Sequence, residues 1–343
     1  MPLLERVRAG RRTNLALLVV LVLAVGTGAL AFAIGTGWAW WAVGAHGAAG
    51  LALVLLSPWK SAITARGVRR RRAGTVASLS LAGLVTVAVV SGVAHAAGVW
   101  TSTLAMQVHV GSALLSIPLI VWHVVARPIR PRRTDLSRRA LIRGAALAGG
   151  SLATLGVMEG FVRLAGLRGS DRRFTGSYER GSFEPDDMPV TQWLDDEVPT
   201  IDQATWTLEV RAGTDADVAT ALRYEELDAF GDEVQATLDC TGGWFAEQIW
   251  SGARLDRLVD EKDKETRSLL VVSATGYARR FPIEDVHHLW LATRVGDEPL
   301  SAGHGHPVRL VAPGRRGFWW VKWVERIEVS STPWWWQSPF PLT

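Results

Sequence analysis

Four apolar runs, at about 15–36, 40–63, 75–99 and 104–126, dominate the first half of this 343-residue chain. Each is long enough to cross a hydrocarbon layer of roughly 30 Å as an α-helix. Charge collects between the runs and alternates in kind. Arginines crowd the N-terminus (Arg6, Arg8, Arg11, Arg12), the loop with Arg66 and RRRR at 69–72, and the stretch 127–139. The connections GTGWAWW (35–41) and GVWTST (98–103) carry tryptophans and no charge. Inside-positive loops and the interfacial preference of tryptophan then give one topology. The N-terminus is cytoplasmic, four spans follow, and the chain is back inside near Arg127. A soluble hydrophobic bundle is the competing arrangement, and it gives no reason for that alternation.

The overall charge of +4 conceals a division. Residues 1–170 hold nineteen Lys and Arg against three acids (Glu5, Asp135, Glu159); residues 171–343 hold eighteen against thirty. The pI near 9.6 therefore describes a basic membrane half joined to an acidic soluble half, not a nucleic-acid binder. Between them, SRRALIRGAALAGGSLATLGV (137–157) opens on Ser137-Arg138-Arg139 and runs into a moderately apolar Gly/Ala stretch. It resembles a twin-arginine export signal placed internally; the alternative is an ordinary positive flank to a fifth span. Either way residues after about 168 are expected outside the cytoplasm. With no clear A-x-A cleavage site after it, the segment is expected to remain as an anchor. Export by this route suits a domain folded around a cofactor beforehand.

Ionisable residues inside spans are costly and read as functional by default. His46, His95 and His109 fall near the outer ends of their runs and His123 near an inner end. His109 and His123 are 14 residues apart, so they share a helix face at levels roughly 21 Å apart. That is the arrangement of a helix ligating two b-type haems, one per leaflet. The outer pair is expected to be His109 with His46, or else with His95. His123 has no histidine at its own depth. Lys60, 14 residues after His46, mirrors it as a weak candidate ligand, although snorkelling to the headgroups accounts for it too. Interfacial or helix-to-helix hydrogen bonding is the plainer account of each histidine alone.

From Trp206 onward the chain changes to short strands and turns. TWTLEVRAG, VQATLDC, SLLVVSATGYARRFPI, HPVRLVAPG and FWWVKWVERIEV read as strands, RYEELDAF as a short helix and GRRG as a turn. About 170 residues suffice for one α+β core. The only cysteine, Cys240, ends one strand before a Gly-Gly pair. The cysteine strand LDCTGGW, together with the long run from His304 to Trp323 (HGHPVRLVAPGRRGFWWVKW), resembles the sulfite-oxidase-type molybdopterin domain, the likeness covering about 201–330. It implies that Cys240 ligates molybdenum through a soft thiolate. It also implies that Thr241, Gly242, His304, Arg309 and Lys322 hold the anionic pterin, Gly242 and Gly243 admitting close backbone approach. Tyr277 and Trp244 are candidate pocket neighbours, Tyr277 as a catalytic one.

Two departures bear on the substrate. Where the family carries an Arg-His signature this chain has DDMPVTQWLDDEVPTID, and the family's DGY turn is Thr275-Gly276-Tyr277. Fewer cations make a poor home for a doubly charged sulfite. The resemblance extends to bacterial S-oxide reductases that work with a haem-binding membrane subunit, here expected as a covalent fusion.

The expected fold is multi-domain. An all-α transmembrane bundle of four spans (1–130) is followed by a signal-like segment and fifth helix (131–168). A linker (169–200) leads to an extracytoplasmic α+β molybdopterin domain (201–343). The expected partners are membrane lipid, a quinone or other membrane electron donor, and a small oxide or oxyanion substrate. The expected activity is oxygen-atom transfer with haem b, one or two, as relay. A haem-free membrane anchor and a cofactor-free extracellular binding domain are the alternatives. The tryptophan-rich tail at 333–343 is expected against the membrane interface or as a cap on the domain, the former preferred.

Overall fold

The computed structural model describes residues 10–69, 74–129, 132–193, 196–211, 218–259 and 266–341. Arg6, Arg8, Arg70, Arg71 and Arg72, cited for topology, lie outside the described residues, as do residues 194 and 195 of the acidic stretch. The chain divides into two compact units, Met1–Tyr178 and Glu179–Thr343.

The first unit consists of α1 (Arg11–Ala33), α2 (Ala39–Arg69), α3 (Thr75–Ala96), α4 (Thr103–Ala126) and α5 (Arg138–Leu164). All five helices are long and apolar enough to cross a membrane. Their outward faces are apolar, as at Val22, Leu115, Val125 and Leu152, which suits lipid rather than water. Helix α2 is longer than the run that predicts it and passes through Pro58 without ending. Helix α5 starts at Arg138 directly after Ser137, with Arg138 and Arg139 exposed. Packing is heaviest within the pairs α1–α2 and α3–α4, and α5 lies against α2.

The two pairs repeat each other, at an offset of 64 residues between α1 and α3 and of 63 between α2 and α4. Thr27 Oγ1 donates to the Leu23 carbonyl at 2.6 Å, and Ser91 Oγ to the Val87 carbonyl at 2.7 Å. Gly28 sits against the ring of His46 and Gly92 against that of His109; an added Cβ would come to 3.0 and 2.8 Å of those rings. Ala42 and Ala105, also equivalent, are both buried. Trp59-Lys60 and Trp122-His123 end the match.

The second unit carries two sheets. The strands in chain order are β1 (Tyr178–Glu179), β2 (Thr207–Arg211), β3 (Val218–Arg223), β4 (Asp232–Cys240), β5 (Trp244–Arg254), β6 (Ser268–Ser273), β7 (Ala278–Pro282), β8 (Trp290–Val295), β9 (Glu298–Pro299), β10 (Arg309–Val311) and β11 (Val324–Ser330). The short helix α6 (Tyr224–Asp228) follows β3. One sheet is ordered β3–β2–β11–β6–β7, with β11 parallel to β2 and its other pairings antiparallel. In the other, β4 pairs along β5, β8 pairs with the C-terminal part of β5, and β10 and β9 pair with β8. Strand β5 alternates buried and outward residues from Trp244 to Trp250, the period-2 mark of a sheet with one face on the core.

Three sequence expectations need correcting. FWW at 318–320 is not strand: Gly317–Trp319 is a 3₁₀ turn that buries Phe318 and Trp319. The stretch 179–193, expected as linker, is built into the second unit, Arg180 and Phe183 donating backbone N–H to the carbonyls of Phe245 and Glu247 at 2.8 Å each. Residues 337–341 cap the domain. The Gln337 amide bridges the Arg280 backbone, and Pro341 O accepts from the Trp193 indole at 3.2 Å. Trp335 and Trp336 stay exposed.

Candidate functional site

Strand β4 delivers Cys240 to a sharp return. Cys240 is paired across it with Trp244, the first residue of β5, and Gly243 adopts φ of 85°, a conformation that glycine takes without strain. The thiol faces Gly242 N–H and Thr191 Oγ1, each 3.3 Å from Sγ. Behind it, Arg316 donates to Asp239 at 2.6 Å and to the Cys240 carbonyl at 3.1 Å. Gly317 packs so closely that a Cβ would come to 3.1 Å of Cys240 Cα. A buried arginine–carboxylate pair thus clamps the cysteine backbone. Sequence reasoning reads GRRG as a turn and misses Arg316.

His304, Arg309 and Lys322 gather near this thiol. Arg309 is fully buried, with its guanidinium over the rings of Trp250 (4.9 Å) and Trp320 (5.6 Å). One nitrogen donates to the His304 carbonyl at 3.1 Å, while Nε is buried without a hydrogen-bond partner. Lys322 Nζ donates to Thr191 O, Gln192 Oε1 and Gly303 O at 2.9, 3.0 and 2.6 Å. Neither cation forms an ion pair with a carboxylate among the described residues, although Asp196 acts on Lys322 from beyond ion-pair distance. Burial and the neighbouring Arg309 bring Lys322 down to about 7, and burial brings Arg309 down to about 9. Gly305, at φ of 110°, lies against the Cβ atoms of Arg309 and Lys322, so a side chain there would be strained and crowded.

His304 acts as a bracket. Its Nε2 donates to the Met188 carbonyl at 3.1 Å, and its Nδ1 meets Ser301 Oγ at 2.9 Å. Burial, then the charges of Arg309 and Lys322, push its pKa down to about 4. The unfolded chain therefore binds more protons than the folded one between about pH 4 and 6.5, and stability falls as pH drops through that window. The span corresponds to on the order of 3 kcal/mol. In urea titrations of the cofactor-free protein between pH 7 and 4, His304→Gln is expected to flatten much of the acid-side loss. An unchanged pH profile would refute this role.

The bracket fixes Met188–Trp193, which sequence reasoning treats only as an acidic departure. Val190 covers Gly303, Thr191 meets the thiol, and Trp193 stacks on Phe318 and Tyr277. Gln192 Nε2 is buried without a partner. Tyr277 is also buried; its hydroxyl donates to the Phe318 carbonyl, and burial raises its pKa. Its proton is thus held by a carbonyl. Thr241 lies in the same turn, half-buried.

In the helical unit His46 and His109 converge. Nδ1 of His46 meets the Ala24 carbonyl at 2.9 Å, Nδ1 of His109 meets the Ala88 carbonyl at 2.7 Å, and the two Nε2 atoms face each other at 3.4 Å. A carbonyl only accepts, so each Nδ1 carries the hydrogen and each neutral ring turns an Nε2 lone pair toward the other. Two facing lone pairs call for a proton or a metal between them, and carbonyl-anchored rings are usual for ligating histidines. His95 stands apart. Its ring nitrogens lie 3.3 and 3.1 Å from the carbonyls of Trp100 and Gly176, and its own carbonyl accepts from Tyr178. At the other end Lys60 Nζ donates to Asn14 Oδ1 at 3.4 Å and His123 Nδ1 meets Ser78 Oγ at 3.3 Å.

Among the described residues no three His, Cys, Asp or Glu side chains group as a metal site. A single thiol and a histidine pair are donor sets for metals whose remaining ligands come with a cofactor. Residues 195–337 match the family model described as oxidoreductase molybdopterin binding domain. Rat mitochondrial sulfite oxidase is 27% identical, the match covering 39% of this chain and 31% of that protein. NADH nitrate reductase of barley is 30% identical over 39% of this chain and 19% of its own length. The chain thus spans under a third of these relatives. The solved sulfane dehydrogenase SoxCD of Paracoccus pantotrophus aligns at 24% identity over 39% of this chain and 40% of that one, with a TM-score of 0.36.

Proposed function

The second unit contains a sulfite-oxidase-type molybdopterin-binding oxidoreductase domain, and we propose that the whole chain is a membrane-held molybdenum enzyme. In this reading His46 and His109 would hold a haem b able to relay electrons from a quinol or another membrane donor, and Cys240 would hold the metal of an extracytoplasmic centre. The substrate is a small S- or N-oxide that is reduced, or its product oxidised in the reverse direction. The supporting observation is a fully buried Arg309 and a part-buried Lys322 beside one thiol, neither in an ion pair with a carboxylate among the described residues. Burying uncompensated cations is expensive. A pterin phosphate and a thiolate-bound metal supply the missing negative charge.

Bound molybdenum supplies two-electron oxygen-atom exchange. The chain's residues set the conditions for it. Cys240 Sγ is the protein's metal donor, and Thr191 Oγ1 and Gly242 N–H direct hydrogen bonds at that sulfur. Arg309 suits the anionic end of the cofactor, with His304 bracketing the neighbouring backbone and Gly305 letting Arg309 and Lys322 pack closely. Lys322 holds Thr191 and Gln192 over the thiol. The buried amide nitrogen of Gln192, whose Oε1 is held by Lys322, is a neutral donor for a substrate oxygen. A neutral donor in place of a further cation favours an uncharged oxide over a dianion.

In the helical unit, Gly28 and Gly92 let the two imidazole rings pack directly onto the helix backbone, which fixes them facing each other. The test is metal analysis and optical spectroscopy of the purified full-length protein. About one molybdenum per chain and a Soret band reducible by a quinol are expected. Molybdenum without any haem band would leave a molybdoenzyme on a haem-free anchor. Neither would overturn the reading entirely.

A further inference from the structure

We propose that the inner level of the duplicated helical unit, formed by Asn14, Lys60, Ser78 and His123, binds the headgroup of a quinone or quinol. The proposal rests on the quinol-fed reading above and gives its donor a place.

The duplication shows what the inner level is not. At the outer level both repeats keep a glycine beside a histidine, Gly28 with His46 and Gly92 with His109. Fourteen residues before each glycine, on the same helix face, the repeats carry Asn14 and Ser78. There each polar side chain engages the residue fourteen after its histidine: Asn14 with Lys60, Ser78 with His123. Among the described residues no glycine seats Lys60 or His123 as Gly28 and Gly92 seat the outer rings, and Lys60 takes the place where a second imidazole would complete a matched pair.

Four polar side chains at equivalent places instead make a set of hydrogen-bonding groups at the arginine-bearing inner end of the bundle, near Arg11 and Arg127. Such groups are retained inside membrane helices where they meet a ligand or one another. Lys60 is donor only, Asn14 and Ser78 both donate and accept, and neutral His123 does one at each nitrogen. Two of the set lie on each hairpin. A quinone ring carries two oxygens on opposite edges, accepting when oxidised and donating when reduced, which such a divided set can serve in both states.

Access is present as well. An open surface depression lined by Arg11, Asn14, Pro128, Ile129 and Arg132 adjoins this level through Asn14.

The probe is a fluorescent hydroxyquinoline N-oxide, a quinol analogue, titrated into the purified full-length protein in neutral-lipid nanodiscs. Saturable quenching is expected in the unsubstituted protein. Asn14→Leu, Lys60→Met and His123→Leu should each weaken binding at least tenfold, with molybdenum content unchanged as the check on folding. His46→Leu and His109→Leu should bind the probe normally, so a failure of the haem reading registers separately from a failure of this one. Unchanged affinity in all three inner variants overturns the proposal. So does a fall from two haems to one per chain in Lys60→Met or His123→Leu. Displacement of the probe by added phosphatidylglycerol would assign the depression to a lipid phosphate and overturn it too.

Discussion

The Cys240→Ser protein is expected to fold normally and to lose turnover to background. Cys240 is half-buried at the end of β4, and its clamp consists of backbone and neighbours: the Asp239–Arg316 pair, Gly317 and the β4–β5 ladder. None of these involves the sulfur. The structural cost of an oxygen for a sulfur there is about 1 kcal/mol or less. The chemical cost is large, because a serine hydroxyl stays protonated where a thiol ionises and is a harder, weaker donor to a high-valent metal. Turnover with a reduced viologen dye and an S-oxide should become undetectable, while the thermal midpoint shifts by no more than a few degrees. Thr191→Val is the graded comparison, removing one hydrogen bond to the sulfur and leaving the ligand. It should keep molybdenum and change the reduction potential of the centre. If Cys240→Ser retains a substantial fraction of turnover, the thiol is a structural one and the proposed chemistry falls.

How much of this was legible beforehand depended on the range over which each signal acts. The five long helices were readable because lipid imposes a minimum length of apolar residues on each span, and α5 was visible despite its glycines. Strands β2, β4, β6 and β7 were readable from their alternation. Strand β5 was not singled out, although it is the longest, because Glu247 and Gln248 sit at its centre. Gln248 is buried there, donating to the Gly181 carbonyl at 2.6 Å. The second strand of the domain's other sheet, β3, borders residues outside the described set and begins beside them. Cys240, Arg309 and Lys322 were identified through family likeness, and the structure brings all three to one place. Thr191 and Arg316 were not, because their contacts span 49 and 76 positions of sequence and no local pattern announces such a pairing. The helical repeat, by contrast, was present in the sequence. Comparing residues 11–33 with 75–97 pairs Gly28 with Gly92 and Ala24 with Ala88, but the likeness is too sparse to stand out until both carbonyls are seen on both histidines.

Loss of either His46 or His109 is expected to remove the haem signal altogether, because the site is built from both halves of the repeat. Each ring is aligned by its own carbonyl, Ala24 for one and Ala88 for the other, and each rests against its own glycine. Neither hairpin holds a second imidazole at this level to substitute for the missing one: the ring nitrogens of His95 face the carbonyls of Trp100 and Gly176. His46→Leu and His109→Leu should therefore each reduce haem per chain from about one to near zero and abolish quinol-driven turnover. Turnover with a soluble dye that reduces the molybdenum centre directly should be unaffected, since such a dye bypasses the haem. His95→Leu should keep the haem band and lower thermal stability by about 1–3 kcal/mol through the unpaired carbonyls it leaves. The glycines offer the complementary test. A leucine at Gly28 would push against the His46 ring itself, so Gly28→Leu should shift that ring off the Ala24 carbonyl and lower haem per chain with both imidazoles still present. If single histidine variants keep a full Soret band, the facing pair shares only a proton, and the helices serve as an anchor without a redox role.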